Sequence, residues 1–302
     1  MLASAEGEPN NSIAARLKAQ LDRLAFDELF YLQLLHARTH YEQSRNRPGI
    51  AFERQDTLVR PFYHALPFTL TSAQRKVLAE IGADMTSPRR MNRLLQGDVG
   101  AGKTVVALMA MLRAVENGYQ AALMAPTEIL AEQHVRTLRE LLGPLPVRVQ
   151  LLTGRMPASA RRAALRSIAS GEARIIVGTH ALIQESVTYH QVGLAVVDEQ
   201  HRFGVRQRLA LAEMGDHDAV GDPPHPDVLL MSATPIPRSL ALTLYGDLDL
   251  SLLDERPPGR TGVRTAQRPA SARASVLEFV REQVRAGRQA YLVYPLVEES
   301  ET

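Results

Sequence analysis

The sequence predicts an α/β fold, an open parallel sheet with helices on both faces. Three observations predict it. Short apolar runs at residues 93–96, 121–125, 148–152, 174–178, 194–198 and 228–232 are continuous rather than alternating, as strands buried on both faces are. Helical stretches separate most of these runs, the order of a βαβ series with ligands at the strand C-terminal ends. Residues 97–104 read Gly-Asp-Val-Gly-Ala-Gly-Lys-Thr, the pattern G-x-x-x-x-G-K-[ST], set between an apolar run and an Ala/Leu/Met-rich helix former.

In chain order, residues 12–44 predict one or two helices. Ile13, Leu17, Leu21, Leu24, Phe26, Leu29, Leu32 and Leu35 recur at mixed three- and four-residue spacing, which suits a helix packed on the next domain. Contact of Arg38, Arg45 or Arg47 with DNA is the competing reading. Arg47-Pro48-Gly49 breaks the pattern, and an extended segment carrying Pro61 and Pro67 leads into the main domain. A helix follows over 71–85, and then the strand and helix alternation. The polar loop 215–226 is rich in Pro, Asp and His; a solvated loop accounts for His217 and His225 better than a metal site. Past Pro257-Pro258-Gly259-Arg260 the character changes to a connector at 261–268, a helix at 272–286 and a strand at 289–295. The expected domains are a helical linker and connector over 1–65, a nucleotide-binding lobe over 66–258, and over 259–302 the beginning of a second α/β domain.

Composition narrows the class. The 302 residues are 45% hydrophobic and 23% charged, enough to bury a sizeable core. No run of eighteen apolar residues occurs, the first residues are polar and acidic, and cysteine is absent. A spanning helix, a signal peptide, a disulfide framework and a thiolate metal site are therefore not expected, and a cytoplasmic location is. A net charge of +2 does not by itself announce nucleic acid.

The glycine loop carries the chemistry. Small residues at Gly97, Gly100, Ala101 and Gly102, with Asp98 and Val99 between them, let backbone N–H groups curl around phosphate oxygens. The following helix adds its N-terminal partial charge. Lys103 reaches the β/γ-phosphates and the Thr104 hydroxyl ligates Mg²⁺. The run 194–199 ends in Asp198 and Glu199, the first to hold Mg²⁺ and the second to polarise the attacking water. ATP and Mg²⁺ are the expected cofactors.

Gln200 and His201 extend the acid pair to Asp-Glu-Gln-His, and the series resembles superfamily 2 helicases. Phe68 with Gln74 resembles their adenine-reading Q motif. Ala125-Pro126-Thr127-Glu128 resembles motif Ia, Gly178-Thr179-His180 motif Ib, and Ser232-Ala233-Thr234 motif III. Longer strings are similar to the RecG family of branch-migration helicases: residues 97–104, 125–134 (APTEILAEQH), 198–205 (DEQHRFGV), and 233–240 continuing through Tyr245-Gly246-Asp247-Leu248 to 257–260. Arg23-Leu24-Ala25-Phe26 resembles the helical linker after that family's wedge domain. The resemblance implies a RecA-like P-loop lobe followed by the start of a second one. It also implies ATP-driven movement on branched duplex DNA (replication forks, Holliday junctions), no membrane partner and a monomer. Ala101 and Ser232 stand where many relatives have Ser and Thr. The family's oligonucleotide-binding wedge, its arginine-bearing motif and its translocation hairpin have no counterpart here, so nucleotide binding with weak turnover is expected; such an arginine contributes about 10³–10⁵ in rate.

For nucleic acid, Thr127, Arg155, Thr179 and His180 each follow a predicted strand, where hydroxyls, backbone N–H groups and helix N-termini suit phosphate contacts. Thr127 reads equally as a helix N-cap. The resemblance makes His201 a residue beside the γ-phosphate and Arg202 and Phe203 sensors of nucleotide state, although Phe203 also suits a core. Ser232 and Thr234 link the phosphate site to lobe movement, or simply end a strand. The rival readings are the motor of a transcription-repair coupling translocase, a P-loop phosphotransferase and a non-catalytic nucleotide- or DNA-binding remnant.

Overall fold

The computed structural model describes residues 9–46, 49–184, 186–199, 225–233, 248–255 and 265–294. The chain divides into two compact units, Met1–Pro258 and Gly259–Thr302.

The first unit is built on a seven-stranded sheet in which every paired neighbour is parallel. Its strands are β1 (Asn92–Gly97), β2 (Gln120–Met124), β3 (Val149–Leu152), β4 (Ile175–Gly178), β5 (Val192–Val197), β6 (Asp227–Ser232) and β7 (Asp249–Leu253). Their order across the sheet is β3-β4-β2-β5-β6-β1-β7. Helices α1 (Pro9–Asn46), α2 (Val59–Ala65), α3 (Ser72–Met85), α4 (Lys103–Glu116), α5 (Glu128–Leu142) and α6 (Ala158–Ala169) precede or connect the strands. The predicted α/β class is the observed one.

Both faces of the sheet are covered, which is why the strands read as unbroken apolar runs. Leu95, Ala121, Ile175 and Val196 face a core shared with α2, α3, α4 and α5. Their neighbours Leu94, Ala122, Ile176 and Ala195 face a second core with Ala164 and Ile168 of α6. Helix α4 is buried nearly all round, whereas α5 buries the single stripe Ala131, Val135, Leu138 and Leu142. Two polar side chains inside the sheet have paired roles. On β1, Arg93 donates to Asp84 Oδ2 at 2.6 Å and Ser251 Oγ at 2.8 Å, tying α3, β1 and β7 together. At the start of β6, the fully buried Asp227 accepts from the Met91 N–H at 2.7 Å.

Four expectations are corrected. Residues 59–65 form a helix rather than an extended segment; Pro61 lies in its first turn, where a missing N–H costs nothing, and Phe62 is fully buried. Strand β7 was not predicted because Asp249 and Ser251 interrupt its apolar run. Helix α1 does not cover its apolar residues: Leu17, Leu21, Leu24, Phe26, Leu29 and Leu35 are all exposed. Leu17, Leu21, Leu24 and Leu35 do share one stripe, with Phe26 on the opposite side, yet that stripe is uncovered. In the second unit, α7 (Arg273–Arg285) forms, but residues 289–294 lie outside any strand, because a strand needs a neighbour to pair with. No helix among the described residues is long and apolar enough to cross a membrane.

Candidate functional site

The glycine loop leaves the C-terminal end of β1 and enters α4. Gly102 is the N-cap in the left-handed region, φ 88° and ψ 25°, a conformation glycine adopts without a Cβ penalty. Gly97 has a different reason to be glycine: a Cβ there would lie 2.8 Å from the Leu253 Cβ, so β7 packs directly against the loop's first residue. Asp98, Val99 and Gly100 are exposed, Ala101 is buried, and Thr104 is half-buried in the first turn of α4. Lys103 folds over the loop, its Nζ donating to the carbonyls of Gly97 at 2.7 Å and Asp98 at 3.0 Å. Burial holds the Lys103 ammonium below the ordinary lysine pKa, and the carboxylates of Asp198, Glu199 and Asp98 oppose that shift. An ammonium among three carboxylates beside the glycine loop is the electrostatic setting for a polyanion bound with a cation.

Two strands away, β5 delivers the acid pair. The Asp198 N–H donates to the Met124 carbonyl at 2.9 Å, which continues the β2–β5 alignment past the last ladder pair. Glu199 turns the chain out of the strand with φ 53°, strained for a residue with a side chain. Between these ends lies β6, where Ser232 is buried opposite Gln96, the residue before Gly97.

Gln74 braces the loop from beneath. It forms a capping box with Thr71, its Oε1 accepting from the Thr71 N–H at 2.9 Å, and its Nε2 donates to the Ala101 carbonyl at 2.8 Å. At 3% exposure it is turned into the protein. Phe68 lies just before this helix, half-exposed.

On the other half of the same sheet edge, the ends of β2, β3 and β4 line a groove of about 750 Å³. It brings together Thr127, Arg155, Thr179 and His180. Thr127 is exposed and is also the N-cap of α5, its hydroxyl accepting from the Leu130 N–H at 3.3 Å, so the capping role is filled. The Arg155 side chain is 92% exposed, beside the Glu128 carboxylate at 3.5 Å. His180 is exposed, whereas Thr179 is buried and its hydroxyl has no hydrogen-bond partner. His201, Arg202, Phe203 and Thr234 lie outside the described residues.

The sequence reading assigned no role to three side chains, two of which, Glu128 and His134, lie within the strings it quoted. His134 on α5 bonds the Asp198 Oδ2 at 2.7 Å. Glu128 accepts from the Arg155 N–H at 3.1 Å. Arg161 on α6 ties the groove walls together, donating to the Thr153 carbonyl at 3.4 Å and to Gln184 Oε1 at 2.8 Å. The signals for the first were its place at the end of the string 125–134 and the seven-residue step from Thr127, two turns along one helix face.

The sequence matches the DEAD/DEAH box helicase family over residues 71–243. It is 50% identical over 279 residues to the ATP-dependent DNA helicase RecG of Synechocystis sp., covering 92% of this chain and 33% of that protein. It is 48% identical to the Escherichia coli K12 RecG, covering 92% of this chain and 40% of that one. Among solved structures, RecG bound to a three-way DNA junction superposes with a TM-score of 0.79 at 43% identity, over 93% of this chain and 37% of that chain. The chain thus spans between a third and two fifths of the length of these relatives.

Proposed function

The chain belongs to the DEAD/DEAH box helicase family, and from that premise we propose that it is the ATP-binding motor portion of a RecG-like DNA translocase. The carrying observation is the division of one sheet edge. A phosphate loop and an acid pair end β1 and β5, with β6 between them, and a groove presenting Thr127, Arg155 and His180 spans the ends of β2, β4 and β3. Binding events at the two halves bear on the same sheet.

In this reading the loop 97–104 wraps the triphosphate, and Lys103 exchanges its two carbonyl partners for phosphate oxygens. Thr104 and Asp198 hold Mg²⁺. The donors fit that ion: one hydroxyl and one carboxylate, completed by phosphate oxygens and water, are the all-oxygen set it prefers. No group of three or more His, Cys, Asp or Glu among the described residues forms a protein-only cage, so the nucleotide completes the site. When bound, the ion supplies charge neutralisation between the phosphates. Glu199 orients and polarises the attacking water, and the preceding carboxylate opposes the lowering of the Lys103 pKa by burial. Phe68 marks the base side of the site. Gln74 reaches a base only by releasing Ala101, so its first task is to hold the loop in shape.

The groove tracks a phosphate backbone: the α5 N-terminus and Thr127 supply dipole and hydroxyl, Arg155 the charge, and His180 a further donor. Thr179 supports the wall from within. His201, Arg202, Phe203, Ser232 and Thr234 carry the nucleotide state onward, by resemblance to the family. The substrate is branched duplex DNA, the activity its branch migration, and the working unit a monomer. Low turnover by the 302-residue chain alone is part of the same proposal, since the resemblance assigns a rate-contributing arginine to the second lobe.

The test combines equilibrium binding of a fluorescent ATP analogue with ATPase rate in the presence and absence of a three-way junction, using Lys103→Ala as the control. Binding lost in Lys103→Ala, with little turnover in either protein, is the expected result. Absence of nucleotide binding by the unmodified chain would refute the motor reading; junction-stimulated turnover at the level of a full helicase would refute the low-turnover part of it.

A further inference from the structure

We propose that His134 is a positioning residue for the metal-holding carboxylate Asp198, an inference that rests on the nucleotide-site reading above. Its Nε2 lies 2.7 Å from Asp198 Oδ2, and the two side chains are only 12% and 14% exposed. The other oxygen, Oδ1, accepts from the Glu199 N–H at 3.0 Å. Each carboxylate oxygen therefore has a donor, and the plane of the group is held from two directions. An ionised carboxylate only accepts, so the histidine nitrogen is the donor.

The donor is itself rigidly mounted. Ala131, Val135 and Leu138 seat α5 against the sheet on either side of His134, and β2, which leads into α5, is paired with β5, which leads into Asp198. The alternative partner for Asp198 is close: it is the first of the carboxylates that raise the Lys103 pKa. Without His134, the carboxylate is left to turn toward that ammonium and away from the orientation that a cation shared with Thr104 requires. A donor that fixes a metal-binding group in this way typically changes metal affinity by about 10–100-fold when removed. His134 touches no reacting atom; it acts through Asp198. Because α5 also presents Thr127, Glu128 and Glu132 to the groove, the helix that orients the carboxylate also lines the second site.

The experiment measures equilibrium binding of fluorescent ADP to the 302-residue chain in EDTA and across a Mg²⁺ series. For His134→Ala, affinity in EDTA is expected to stay within about two-fold of the unmodified chain, while the Mg²⁺ concentration giving half the effect rises about ten-fold, the low end of the range for such donors. His134→Gln, which restores an N–H at similar reach, should recover most of the shift. A purely structural histidine would instead weaken binding equally with and without Mg²⁺. Should His134→Ala fail to fold, His134→Leu fills the space without a donor and must show the same Mg²⁺ shift. An unchanged Mg²⁺ midpoint in a folded variant overturns the inference, as does failure of His134→Gln to recover it. An unmodified chain that binds no nucleotide removes the reading beneath the inference and the inference with it.

Discussion

Replacing Gly102 by Ala separates a backbone effect from a side-chain effect at the phosphate loop. Gly102 and Gly118 have nearly the same positive φ, 88° and 89°, so a Cβ at either pays the same left-handed penalty, about 1–2 kcal/mol. At Gly118 nothing lies within 4 Å of the new Cβ, whereas at Gly102 it would sit 2.2 Å from Gln74 Nε2. Gln74 must withdraw, and its buried amide then loses the 2.8 Å bond to the Ala101 carbonyl. Leaving such a group unpaired costs about 1–3 kcal/mol. Gly118→Ala should therefore destabilise by about 1–2 kcal/mol and Gly102→Ala by about 2–5 kcal/mol. The gap at mid-range corresponds to roughly 4–8 °C in melting temperature for a unit of this size. Denaturant unfolding followed by circular dichroism measures both, and the pair Gly102→Ala with Gln74→Ala closes a double-mutant cycle in which the second change relieves part of the first. Equal destabilisation by the two glycine substitutions, or no coupling in the cycle, would refute the claim that Gln74 braces the loop.

Three further outcomes follow from the same contacts. Arg161→Ala removes the ties to Thr153 and Gln184, and at about 1 kcal/mol per bond it should weaken junction binding several-fold while leaving nucleotide affinity unchanged; a gel-shift titration beside the nucleotide assay checks this, and a loss in both would place Arg161 in general stability instead. Gly178→Ala puts a Cβ 2.1 Å from the Leu152 carbonyl oxygen, a backbone atom that cannot swing away, so β3 and β4 must separate at a cost of about 1–3 kcal/mol or more, read as a lowered denaturation midpoint. The Asp227 carboxyl is pushed well above its ordinary value near 3.8, chiefly by burial, so the folded state keeps a proton that the unfolded state releases as pH rises. The unmodified chain should thus lose stability as pH climbs above that ordinary value toward the folded pKa, by at most about 1.4 kcal/mol per unit from this group. Asp227→Asn, which keeps the oxygen facing Met91, should lack that component in unfolding curves taken from pH 4 to 7; parallel curves for the two proteins would contradict it.

Local pattern was enough for the sheet class, the glycine loop and the acid pair, because each is written in residues close together in the chain. Continuous apolar runs report burial on both faces, and loop and acids are contiguous strings. What local pattern cannot carry is which strand lies beside which. That order puts His134 on Asp198, 64 residues away, and the packing of α3 beside the loop puts Gln74 on Ala101, 27 away. It also places Leu253 against Gly97 through a strand whose apolar run is broken by Asp249 and Ser251, and gathers Thr127, Arg155 and His180 from three strand ends into one groove. Helix α1 shows the converse limit: Leu17, Leu21, Leu24 and Leu35 make an apolar stripe that implies burial, yet a stripe does not supply the surface that would cover it, and all four are exposed. Periodicity thus decides what each segment becomes, while contacts between segments depend on sheet order, which arises only when all the strands are packed together.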